Sequence, residues 1–131
     1  MGKIVHKDLS YKIVGILFDV HTQLGNRYQE KYYQRAVGEG LKSVGLNFQK
    51  ELTVDLVYNN KNIGKYFLDF LVDNKVILEI KAVPVLRPVD FQQVLGYLKA
   101  KKLELGILAN FRPEVLEYKR ILNSDLIRSK N

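Results

Sequence analysis

Three charged side chains, Asp69, Glu79 and Lys81, stand inside the apolar runs of FLDFLVDNKVILEIKAV, Phe67 to Val83. Burying charge is costly unless the charges are paired or put to use. Alternation along a strand places Ile77, Glu79 and Lys81 on one face, with Val76, Leu78 and Ile80 on the other, the core face. Asp69 falls on the partner strand across the turn DNK, and its separation of ten residues from Glu79 fits a hairpin that returns the two side by side. Two carboxylates and one ammonium then meet at one end of a sheet. Hard carboxylate oxygens, a backbone carbonyl such as that of Ile80, and waters suit Mg²⁺ (or Mn²⁺). A metal held there lowers the pKa of a bound water and polarises a phosphate oxygen. A neighbouring lysine orients or deprotonates that water, or neutralises transition-state charge. The same triplet is also ordinary decoration for a half-exposed sheet, and its spacing leaves both readings open.

Two further features bear on the choice. QQVLGYLK places Gln93 and Tyr97 four residues apart on one helix face. The amide suits an attacking water or a phosphate, and the phenol suits a phosphate or a base. From spacing alone, a polar rim beside a packed tyrosine is the better explanation of the pair. Glu30 sits in the first turn of a predicted helix, where the dipole favours a carboxylate whatever its function. Tyr28, Tyr32 and Tyr33 cluster near it; they suit unpaired bases, with at least one expected in the core. The net charge of +7 favours a polyanion partner, nucleic acid first. Arg27 and Arg87, in loops expected to open toward the site, and Lys31 are candidate backbone contacts. Arg35, Lys61, Lys65, Lys99, Lys101 and Lys102 extend the basic set.

The elements that position these residues read as follows. A first helix spans about Asp8 to Leu24, with Ile13, Leu17, Val20 and Leu24 on one face, Asp8 or Ser10 as cap and Gly25 as stop. A second runs from about Gln29 to Val44, with Tyr33, Ala36, Val37, Leu41 and Val44 inward. FQKELTVDLVY, IGKYFLDFLV and VILEIKAV read as strands separated by the turns NNKN and DNK. A helix begins near Pro88, with Phe91, Val94, Leu95 and Leu98 apolar. LELGILANF is a buried strand suited to parallel pairing. The tail from Pro113 reads as a last helix or irregular segment. The expected order is α-α-β-β-β-α-β, one mixed sheet flanked by helices.

At 131 residues the chain is expected to form a single domain spanning 1–131, and with 47% hydrophobic residues it can bury a core without staples. Cysteine is absent, which excludes disulfides, thiolate catalysis and cysteine zinc sites, and suits a reducing cytoplasm. His6 and His21 alone cannot build a His-rich zinc site. Met1 to Ser10 does not read as a signal peptide. No apolar run approaches the roughly 18 residues a membrane span needs, so no membrane partner is expected.

With these pieces in order, the sequence resembles the PD-(D/E)XK nuclease superfamily, and more closely the small bacterial proteins with a GxxExxxR motif. The matching stretches are DVHTQLG with EKYYQRAV, LTVDLVYNNKNIGKYFLDFLVDNKVILEIKAV, LRPVDFQQVLGYLK and LGILANF. The resemblance implies a restriction-endonuclease-like α/β fold and a metal-dependent phosphodiesterase site. It makes Asp69 and Glu79 metal-binding carboxylates, Lys81 the catalytic lysine, and Glu30 a helical contributor to the metal or its water. Gln93 and Tyr97 match a Q-x3-Y element. The chain departs from the motif at Arg27, where the namesake glycine would stand, and at Gln34, where its arginine would. Leu68 replaces the proline before the aspartate. The implied activity is hydrolysis of phosphodiester bonds in DNA, with DNA a better expectation than RNA. The rivals are a nucleic-acid-binding module with a silent site and a homodimeric junction-resolving endonuclease.

Overall fold

A computed structural model describes residues 4–130. The elements are α1 (Lys7–Leu24), α2 (Glu30–Ser43), β1 (Phe48–Tyr58), β2 (Lys61–Val72), β3 (Val76–Lys81), α3 (Pro88–Lys101), β4 (Leu105–Asn110), β5 (Glu117–Leu122) and α4 (Ser124–Ser129). The five strands form one sheet in the order β1-β2-β3-β4-β5. β3 and β4 are parallel and joined through α3, while the other neighbours are antiparallel. This is the expected α/β architecture, a mixed sheet flanked by helices.

The helices cover both faces. Ile13, Leu17, Tyr33, Val37 and Leu41 pack on Phe70, Val76, Leu78, Ile80 and Ile107. Val94, Tyr97 and Leu98 pack on Leu68, Leu71, Ile77 and Leu108 on the opposite face. β3 and β4 are therefore buried on both sides, as parallel strands between helical layers are. Ile77 is fully buried, so its face of β3 is core too. α1 and α2 approach closely at Gly40, where a Cβ would lie 2.5 Å from Ile16 Cγ2. That contact explains a glycine inside a helix despite its low propensity. Both predicted hairpin turns form, with Asn59–Asn60 and Asp73–Asn74 at positive φ, as tight hairpins require.

The tail differs from expectation. Glu117–Leu122 is a strand paired antiparallel to β4, followed by a short helix. Of the apolar and aromatic residues Val115, Leu116, Tyr118 and Ile121, only Leu116 and Ile121 are buried, and residues five apart do not share a helix face. The stronger demand comes from β4, whose buried outer edge would otherwise leave its amides and carbonyls unpaired. Among the described residues no helix is long and apolar enough to cross a membrane.

Candidate active site

The site forms where β2 and β3 part. Their ladder runs through Val72–Val76, Leu71–Ile77 and Phe70–Leu78. At the next pair, Asp69 and Glu79, side chains take over from the backbone. The Asp69 amide donates to Glu79 Oε1 at 3.0 Å, and the Ile80 amide donates to Asp69 Oδ2 at 2.7 Å. Each carboxylate thus replaces a ladder bond that the diverging backbones cannot make. An amide and carbonyl of one strand residue point to the same edge, so the Ile80 carbonyl also faces the fork.

A break in alternation accompanies the fork. Leu68 packs in the α3-side core and Phe70 in the α1/α2-side core, although their numbers share parity. The partner position on β1, Glu51, has φ +55°. The two strands therefore exchange faces around Asp69.

Helix α2 supplies the second wall. Glu30, its first residue, accepts from the Ala82 amide at 3.3 Å. Gln34, one turn on, donates to Asp69 Oδ1 at 2.9 Å and to Glu30 Oε2 at 3.3 Å. Gln34 was legible only as a departure from the motif, and it ties the helical and sheet carboxylates together. Tyr33 anchors the helix start: its hydroxyl donates to Gly25 O at 2.6 Å and accepts from the Tyr28 amide at 3.2 Å.

Helix α3 supplies a third part. Lys81 Nζ lies 3.4 Å from Glu79 Oε2 and 3.9 Å from Asp90 Oδ1. Asp90 is buried, and its carboxylate accepts the Arg87 amide at 2.8 Å, closing the first turn of α3. It went unnoticed in the sequence, although Pro88 followed by an acid at the third helical position is a helix-start signal. Asn110, fully buried at the end of β4, clamps the segment after Lys81 with a 2.8 Å bond to Val83 O and a 3.0 Å bond from Val83 N.

The remaining candidates are placed as follows. Gln93 is half-buried on α3, and its backbone carbonyl accepts from the Tyr66 hydroxyl at 3.0 Å. Tyr97 is 4% exposed inside the core beneath α3, so its ring is closed to a base. Arg27 and Lys31 are exposed, and Arg87 is exposed beside Asp90. His21 bonds the Pro113 carbonyl at 2.9 Å through Nε2, which is therefore the protonated nitrogen.

The electrostatics follow from burial. Desolvation raises the Glu30, Asp69 and Glu79 carboxyls above their ordinary values. For Glu79, the Asp69 charge and a hydrogen bond to Asp69 add to it, and the group is pushed up to about 8. Lys81 opposes the rise at all three. With Asp90, four carboxyls thus gather around one ammonium, a cluster short of positive charge. Among the described residues no three His, Cys, Asp or Glu side chains form a ready-made cage for a metal. The donors are nevertheless all oxygens, and each carboxylate oxygen keeps a lone pair beyond its present bond. They fit a hard divalent cation that retains part of its water shell.

An Asp, a Glu and a Lys thus meet at a strand fork in a mixed sheet between helical layers. The family model of the PD-(D/E)XK nuclease superfamily matches residues 7–121, and the chain belongs to that superfamily. This places it among nucleases, whose substrate is nucleic acid. One solved structure, that of SSO0001, is similar over 93% of this chain and 82% of its own, with a TM-score of 0.48 and 18% identity. No curated protein matches the chain.

Proposed function

We propose that the chain is a Mg²⁺- or Mn²⁺-dependent nuclease that hydrolyses phosphodiester bonds in DNA, with residues 1–131 acting as one nuclease domain. The observation that carries this reading is the interlocked Asp69–Glu79 pair at the fork, with Glu79 buried, Asp69 half-buried and the Lys81 ammonium 3.4 Å from Glu79. Asp69, Glu79 and the Ile80 carbonyl would hold the metal, with Glu30 contributing directly or through a water. When bound, the metal supplies positive charge to the phosphate and an acidified water.

The chain's own groups do the rest. Lys81 is held between Glu79 and Asp90, and it stabilises negative charge on the phosphate or takes part in delivering the water. Gln34 keeps Glu30 and Asp69 oriented toward each other. Gln93, on the same helix as Asp90, would steady the water or the phosphate. Arg27, Lys31 and Arg87, exposed around the fork, offer contacts to the strand backbone. With +7 overall, the protein draws a polyanion toward the acidic fork.

The test is a cleavage panel of linear duplex, single-stranded and branched DNA with Mg²⁺ or Mn²⁺, with Glu79→Ala as control. Metal-dependent products from the wild type and none from the control are expected. Calorimetry with Mn²⁺ that shows no binding dependent on Asp69 and Glu79 would instead favour a binding module.

A further inference from the structure

The structure carries a second feature beside the fork: a cleft of about 300 Å³ between α2 and the β1–β2 hairpin, lined by Lys31, Gln34, Arg35, Lys50, Asp69 and Phe70, with Glu51 at its edge. Gln34 and Asp69 belong to the fork itself, so the cleft opens onto the proposed catalytic group. Its walls carry three cations against two acids, Glu51 and Asp69. Two exposed aromatic rings neighbour two of these cations. The Lys31 ammonium lies 5.2 Å and the Arg35 guanidinium 5.6 Å from the Tyr32 ring. Tyr28 meets Tyr32 edge-to-face at 6.1 Å. Tyr28 and Tyr32 are 49% and 42% exposed, whereas Tyr33, next to Tyr32 in sequence, is fully buried.

Interleaved cations and open aromatic rings along a narrow cleft are the chemistry of single-strand recognition. Cations follow the phosphates, and each ring offers a π-face to an unpaired base. A base inside a duplex is already stacked on its neighbours and cannot reach a side-chain ring without being flipped out. The cleft has room for about a nucleotide, not for a double helix. We propose that it takes an unpaired nucleic-acid strand, with a base on Tyr32 and phosphates on Lys31, Arg35 and Lys50. The strand then passes Gln34 and Asp69. This deepens the nuclease reading and rests on it for the consequence that cleavage falls on unpaired strands, ends or branch points before intact duplex.

Binding is measured first, in chelator, by fluorescence anisotropy with a 20-nucleotide single strand and the matching blunt duplex. The single strand is expected to bind at least tenfold tighter. Tyr32→Ala weakens it by about 5- to 100-fold, the effect of losing one stacked base, and leaves the duplex unchanged; Tyr32→Phe retains the affinity. Three phosphate contacts give a salt slope near −2, and Lys31→Ala lowers it by about 0.7. Equal affinity for the two forms, or a Tyr32→Ala effect that is absent or the same on both, overturns the proposal. Cleavage of the same strands with Mg²⁺ separates the two readings. Selective binding without cleavage keeps the strand site and removes the nuclease reading. Duplex cleavage as fast as single-strand cleavage, indifferent to Tyr32→Ala, does the reverse.

Discussion

Glu79→Gln is expected to stabilise the metal-free protein while abolishing its activity. Glu79 is 5% exposed and its carboxyl is pushed up to about 8 from an ordinary 4.5, with desolvation the largest cause. In the unfolded chain the group loses its proton near 4.5, but the folded state keeps it until about 8. Between those values the unfolded state binds fewer protons, so wild-type stability falls as pH rises, and the loss is complete above about 8. At about 1.36 kcal/mol per tenfold, the full interval sets an upper bound of roughly 5 kcal/mol. Relaxation and water entry reduce it, and the variant also gives up the ion pair with Lys81. A gain of about 1–3 kcal/mol at pH 9 is the working figure. The glutamine carbonyl still accepts the Asp69 amide, so the fork stays closed. Urea denaturation in chelator at pH 4 and pH 9 measures it, with near-equal midpoints at pH 4 and a higher midpoint for the variant at pH 9. Mg²⁺ at a hundredfold over its Kd should then add about 2.7 kcal/mol to the wild type and little to the variant, cancelling most or all of the variant's lead. A variant no more stable than wild type at pH 9, or stabilised equally by Mg²⁺, would refute the reasoning.

Other outcomes follow from single contacts. Lys81→Ala should abolish metal-dependent cleavage with an unchanged circular-dichroism spectrum; a wild-type rate in the purified variant sinks the role given to Lys81. Gly40→Ala places a Cβ 2.5 Å from Ile16 Cγ2 and should cost about 1–3 kcal/mol by thermal denaturation, whereas an unchanged midpoint would mean that α1 and α2 separate freely. Asn110→Ala strips both bonds from Val83. It should cost a few kcal/mol and lower kcat more than it raises KM, because it loosens the segment that carries Lys81.

The hairpin that holds Asp69 and Glu79 was legible because strand period and turn length together determine register. Residues separated by ten positions across a tight turn have one way to meet. Tyr97 was misleading because spacing groups residues by angle around a helix but does not say where the buried arc ends. Gln93 sits at that boundary and Tyr97 inside it. Asp90 was hidden by its own plausibility: an acid in the first turn of a helix needs no function to explain it. The exchange of faces at Asp69 had no signature, since Glu51 at positive φ is a choice the surrounding sheet imposes on an exposed residue. β5 was missed because an edge strand with few buried side chains owes its existence to the partner's unpaired backbone.

The fork also determines which substitutions are informative. Where β2 and β3 separate, the amides of residues 69 and 80 lose backbone partners, and the carboxylates of Glu79 and Asp69 replace them. The groups proposed to bind metal are therefore structural acceptors as well. Asp69→Ala removes both roles: it leaves the Ile80 amide unsatisfied beside a buried strand, at about 1–3 kcal/mol, and it frees Gln34 from its 2.9 Å partner. Loss of activity in that variant says nothing about metal. Asp69→Asn keeps a carbonyl oxygen for Ile80 and removes the charge, while its new amide requires Gln34 to flip and accept where it now donates. Under the metal reading it should fold with near-wild-type stability in chelator, fail to bind Mn²⁺ by calorimetry and fail to cleave. Wild-type Mn²⁺ affinity in Asp69→Asn would mean that the carboxylate holds the fork together and nothing more.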